Sequence, residues 1–294
     1  MFPREMNEEA KRFGDAVAAY LGPHVGALKD YKWKMGKAVP IEAQKLGLIA
    51  VDHKGGVAAT NALRSDVARR VREVHLLAGD TRNSKMQDFC SFVICKWGAL
   101  SSNKPKTIEA YARVYTSTAI PDLSAVGSLQ ELRIQADCDF PIQGIASWSK
   151  WLNFAWPEWA LIYDSRIAFA LNAIHVLKGV DARAMPVPKG RGILLSKLDP
   201  QTLAALSYLK RKSEPIPDVP HGDNAKSLER WLEGGVIPED NAYEFYLMVM
   251  MRAHEVMGRV SFPALVDVEM LLFYLSIRHV VHDFLSLVSD VSPR

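Results

Sequence analysis

Residues Ser147–Ile167 read SWSKWLNFAWPEWALIYDSRI and hold four of the chain's seven tryptophans, one lysine, and an aspartate set just ahead of an apolar run. Trp148 and Trp151 stand three apart, so a helix puts them on one face, while Trp156 and Trp159 flank Pro157 in a turn. Lys150 sits between the first pair. A lysine so placed either lays its stem over a ring with its amine in water or is desolvated enough to act as a nucleophile. Asp164 has two compatible readings. It caps the helix RIAFALNAIHVLKG that follows, and at the positive end of that helix it presents a stabilised carboxylate to whatever lies beyond.

The surrounding composition narrows the class. With 294 residues, 49% of them apolar and 23% charged, the chain has the profile of a globular protein with a sizeable core. No apolar run suggests a membrane span, and the charged start MFPREMNEEAKRFGDAV lacks the apolar stretch of a secretory signal. Three cysteines, Cys90, Cys95 and Cys138, form no CxxC pair and cannot ligate a four-cysteine cluster. A cytoplasmic location is expected. The net charge of +3 is small, but basic residues gather at Arg64–Arg72, at Lys96, Lys104 and Lys106, at Lys189, Arg191 and Lys197, and at Lys210–Lys212. Such groups either neutralise phosphates or form a solvated surface balanced by nearby acids.

Helical periodicity dominates. An amphipathic helix is expected over 5–21, with Phe13, Val17 and Leu21 on one side, then others over about 61–77 and 84–97, and one opening near Pro105. Helices over 124–136 and 147–155 enclose a tight turn at Pro141 and Gly144. The helix behind Asp164 or Ser165 runs to Gly179 and is apolar on almost every face. A Gly/Pro-rich basic connection leads to a helix over about 200–210. A three-proline linker follows at 213–223, and the remainder, 224–294, reads as three helices with Pro238 and Pro263 near their starts. The pattern is all-α, and residues 1–294 read as a single compact helical unit.

Other chemistry finds little support. The eight histidines show no metal-ligand spacing, and His279 and His282 read as packing or boundary residues on an apolar helix. KGRG at 189–192 offers backbone N–H groups to a phosphate or is simply a loop. No P-loop, dinucleotide fingerprint or GxSxG motif is present.

Taken in order, the Pro141–Gly144 hairpin, the Lys150 helix, the Pro157 loop and Asp164 opening an apolar helix resemble the core of the helix-hairpin-helix DNA glycosylases. The likeness is nearest to the 8-oxoguanine DNA glycosylase fold. Upstream, FVICKWGALSSNKPKT resembles the helix and WG turn of small members. The resemblance covers residues 85–180, with the hairpin at 139–150 and the aspartate helix at 164–178. Gly144 stands alone where the family has two close glycines, the lysine-to-aspartate interval is shorter, and neither an iron–sulfur cluster nor an amino-terminal β domain is evident.

The resemblance implies an enzyme that flips a modified base out of double-stranded DNA and cleaves its N-glycosidic bond. Asp164 would stabilise charge on the sugar or orient a water, and Lys150 would attack C1′, with possible strand cleavage. Trp148, Trp151, Trp156 and Tyr163 would line the base pocket. Gly144, Ser147, Ser149, Arg166, Lys104, Lys106, Lys189 and Arg191 would hold the DNA backbone. It implies no metal or cofactor, no membrane, and a monomer. The substrate would be an oxidised purine under repair, or a bulky modified cytosine in foreign DNA. A non-catalytic DNA-binding protein that keeps the fold, or a helical adaptor, are the alternatives.

Overall fold

The structure, a computed structural model, describes residues 4–32, 36–49, 55–100, 105–114, 120, 122–137, 140–188, 198–217, 225–258 and 261–289. It is all-α. The helices are α1 (Arg4–Leu21), α2 (Val39–Lys45), α3 (Val57–His75), α4 (Gly79–Ser91), α5 (Pro105–Arg113), α6 (Leu129–Ala136), α7 (Ile145–Ala155), α8 (Ser165–Lys178), α9 (Pro200–Arg211), α10 (Ala225–Gly234), α11 (Ala242–Met257), α12 (Leu265–Leu275) and α13 (Val281–Ser289). Among the described residues the only β feature is an isolated bridge between Ala184 and Val236.

Local chemistry sets several boundaries. Ser128 and Asp199 cap α6 and α9 by accepting the N–H of Glu131 and Thr202, and Pro200 takes the first position of α9, where its missing N–H costs nothing. The helix expected over 84–97 starts earlier, at Gly79, and ends in a wider π turn over Phe92–Trp97. The expected 124–136 helix is broken into a short 3-10 turn, Leu123–Ala125, and α6. The linker expected at 213–223 is described only to residue 217.

Where the pattern suggested a single unit, contacts gather into two. The first comprises Met1–Gly26, Pro141–Gln143 and Tyr163–Arg294. Its centre is α8, buried from Ile167 to His175 and packed by α1, α9, α12 and α13. The few polar side chains of that helix staple the chain that follows it. Asn172 donates to Met185 O and accepts from Met185 N–H, both at 2.8 Å, and His175 Nε2 meets Ala182 O at 2.6 Å. Just ahead of α8, the Tyr163 hydroxyl donates to Pro186 O at 2.6 Å. Buried Glu9 of α1 accepts from Arg183 Nη2 at 2.8 Å and from Tyr208 at 3.2 Å, joining α1 to α9 through the same segment.

The stretch Leu265–Ser289 is helical over 25 residues, with a mean hydropathy of 1.4 in its most apolar window. By length and composition alone it could cross a bilayer, which corrects the expectation that no run is long enough. Its α12 portion packs on α8 and α11 and carries buried Asp267 and Glu269, while 39% of the apolar window is buried.

The second unit comprises Ala27–Phe140 and Gly144–Ile162. Helix α3 lays Leu63, Val67 and Val71 into its core and packs on α7, while α4 packs on α3 and α5. His75, at the end of α3, meets Ile120 O at 2.7 Å.

Burial lowers the His175 pKa from 6.5 to about 4. The unfolded chain therefore takes up a proton at a pH where the native imidazole stays neutral. The stability this gives is complete above pH 6.5 and is lost as pH falls from 6.5 towards 4, by about 3 kcal/mol in all. Urea unfolding followed between pH 7 and pH 4 should show that loss, and His175→Gln should flatten it.

Candidate functional site

Gly144 begins α7 in the left-handed region at φ +81°. A Cβ there would be strained and would collide with the Tyr111 hydroxyl, so the turn needs glycine twice over. Its carbonyl accepts the N–H of Ser147 at 2.8 Å and of Trp148 at 3.1 Å, starting the helix.

Lys150 is not a surface lysine. It is only 6% exposed, and its Nζ donates to Ala146 O one turn back, at 2.8 Å. Its stem crosses Gly98 of the WG turn, where an added Cβ would stand 2.8 Å from the lysine Cδ. Beside it the Trp97 ring meets Phe154 edge-on at 4.6 Å, and buried Arg64 of α3 places its guanidinium over the same Phe154 ring at 5.9 Å. The WG turn and the lysine helix, quoted separately from the sequence, thus build one neighbourhood within the second unit. Asn153, also buried, donates to Ala160 O at 2.7 Å and fixes the Pro157 loop.

The tryptophans go to the core. Trp148, Trp151 and Trp156 are among the largest fully buried side chains. Trp148 packs on Phe140 at 5.2 Å. Trp156 donates Nε1–H to Leu123 O at 2.7 Å and stacks on Trp159, whose own Nε1–H reaches Val126 O at 2.8 Å. Their burial makes them packing and corrects the expectation of open pocket walls. Tyr163 is likewise enclosed, and burial together with the Asp164 charge pushes its phenol well above the usual range. Ser147 and Ser149, expected at the DNA backbone, are buried too, so a phosphate has no open route to their hydroxyls.

Asp164 is the cap of α8, as expected. Its Oδ1 accepts from Arg166 N–H at 3.0 Å and Ile167 N–H at 3.1 Å, and the residue is half-buried. Around it in the first unit, the expected Tyr163 and Arg166 meet residues that the sequence did not single out: Tyr243, Tyr246, Glu269 and Phe273. Tyr163 and Tyr246 place their rings 5.0 Å apart. Tyr246 is pushed well above the ordinary range by burial first, then by the charge of Glu269, with Tyr243 and Asp164 adding less. Arg166 stacks its guanidinium over Phe273 at 4.4 Å, one turn beyond buried Glu269 on α12. The signal for that group was an acid, Glu269, standing directly ahead of the apolar run MLLFYL.

Asp164 belongs to the first unit and Lys150 to the second. Lys104, Lys189 and Arg191 lie outside the described residues, and Lys106 is described only as part of the α5 backbone. Three clefts within the units are lined by other residues. Among the described residues no group of three or more His, Cys, Asp or Glu side chains is placed to hold a metal ion.

Comparison with known proteins finds no significant match: no family model, no curated protein and no solved structure.

The turn at Gly144 gives a direct test. Gly144→Ala should lower the unfolding free energy by about 2 kcal/mol, from left-handed strain and the Tyr111 collision. Tyr111→Phe removes the colliding oxygen, so in chemical denaturation the double variant should recover part of that loss.

Proposed function

We propose that the chain is a DNA glycosylase that flips out a modified base and cleaves its N-glycosidic bond. The observation that carries this reading is Asp164. It is a half-buried carboxylate capping a buried helix, and it follows a left-handed glycine turn, a helix with a buried lysine and a proline loop. That order is the one in which the glycosylase resemblance was read from the sequence.

The chemistry suits the residues. As the bond between C1′ and the base nitrogen breaks, its electron pair leaves with the base and positive charge grows on the sugar. A carboxylate held by backbone N–H groups is preorganised to stabilise that charge. It can also take the proton of a water whose oxygen then joins C1′. Lys150 offers a second route: its neutral Nζ attacks C1′ as the base leaves with the bonding pair. Loss of the amine protons with opening of the C1′–O4′ bond gives a Schiff base, and removal of a C2′ proton then expels the 3′ phosphate and cleaves the strand. Flipping costs a few kcal/mol and is least costly for a damaged or weakly paired base. Both an oxidised purine and a modified cytosine in foreign DNA fit this scheme.

Asparagine caps helices about as well as aspartate, so Asp164→Asn isolates the charge. Incubation with oxidised, deaminated and cytosine-modified duplexes, followed by detection of free base and abasic sites, should show release by the wild type. In Asp164→Asn release should fall by about a hundredfold or more. Full activity in that variant would remove Asp164 from the mechanism. Salt-sensitive binding with no base released from any duplex would instead identify a non-catalytic DNA-binding protein.

The lysine route has its own readout. Borohydride should trap the wild-type protein on DNA covalently, and Lys150→Gln should leave no trapped species. Base release without trapping in the wild type would assign a water-only mechanism.

A further inference from the structure

Within the first unit a cleft of about 610 Å³ opens between α9, α10 and the chain around the Ala184–Val236 bridge. Its volume is that of a ligand or peptide-anchor pocket. Leu232, Val236 and Ile237 supply an apolar floor, and Glu229, Glu233 and Glu239 stand around it. All three carboxylates are exposed. Among the described residues no lysine or arginine lines the cleft, and none of the three carboxylates takes part in an ion pair or side-chain hydrogen bond. The other ion pairs of the chain show the contrast: Glu9, Glu73 and Glu158 each hold an arginine. In a chain of net charge +3, this is a local excess of negative charge over an apolar surface.

The cleft is also firmly built. Ala184 donates its N–H to Gly235 O at 2.8 Å and accepts from Ile237 N–H at 2.9 Å, which pins the α10 end of the floor. Gln201 accepts Val187 N–H at 2.7 Å on the facing wall. Beneath lies a small cluster of Ala184, Ala204 and Ala205.

We infer that this cleft docks an extended basic peptide segment of a partner protein, with an apolar side chain on the floor and lysines or arginines against the three glutamates. Charge complementarity selects the cation, and the floor selects an apolar anchor over a bare polyamine. Spacing selects the extended segment. Glu229 and Glu233 are one turn apart on α10, about 6 Å along its axis, while alternate residues of an extended chain are separated by about 7 Å. The inference is independent of the glycosylase reading, because it uses none of the residues assigned to base excision.

The test is fluorescence anisotropy of a labelled peptide with central leucines flanked by arginines, titrated with the 294-residue protein. The wild type should bind it, and added salt should weaken the binding. A peptide with glutamates in place of the arginines should not bind. The triple variant Glu229→Gln/Glu233→Gln/Glu239→Gln and the floor variant Leu232→Ser should each weaken binding about tenfold or more, with unfolding curves confirming that both remain folded. No binding by the wild type, or equal binding by the triple variant, would overturn the inference. Equal binding of a leucine peptide without arginines would make the site a purely apolar one and overturn it as well. So would self-association of the protein that Leu232→Ser abolishes, because the occupant would then be a second copy.

Discussion

A buried helix must find acceptors for its first N–H groups without help from water, and α8 is buried along most of its length. Asp164 answers two of those groups through one oxygen. The rest of the first unit is arranged around the helix so anchored. Tyr163, Asn172 and His175 tie down the chain between residues 182 and 186, and that chain in turn seats Arg183 on Glu9 and forms the bridge to Val236. Structure and proposed chemistry therefore rest on the same carboxylate. A cap does not move, and a carboxylate that does not move need not reorganise when charge appears before it.

The second unit follows an analogous logic with opposite charge. Two long cations, Arg64 and Lys150, are placed among aromatic rings on helices α3 and α7, where hydration is largely lost. Lysine is seldom fully buried unless something requires it, and a stem crossing Gly98 with its Nζ on Ala146 O is a specific arrangement.

The legible part of the fold was whatever local periodicity and punctuation carry. The bounds of α1, α7, α8 and α9 fall within one or two residues of those read from apolar spacing and from Pro, Gly and Asp signals, because caps and turns act over a few residues. The cap at Asp164 and the turn at Gly144 were legible for the same reason. What escaped was set by tertiary contact. The burial of Lys150 depends on a glycine fifty-two positions earlier. Glu269 and Phe273 come to α8 from a helix about a hundred residues later. The division into two units cuts the chain after Gly26, Phe140, Gln143 and Ile162, and no change of composition marks those positions. The tryptophans showed the converse. Their number invited a pocket, whereas the N–H of an indole satisfied by a backbone carbonyl, as in Trp156 and Trp159, belongs to packing.

Electrostatics separates the two proposed activities by surface. Three uncompensated carboxylates repel phosphates over about a Debye length, near 8 Å at physiological salt, so the walls of the α9–α10 cleft cannot lie against a DNA backbone. A duplex held at Asp164 has to be oriented with that cleft turned away from its phosphates. A basic peptide faces the reverse constraint and is drawn to the cleft. A partner bound there would add positive charge to the chain, strengthening rather than opposing its hold on DNA.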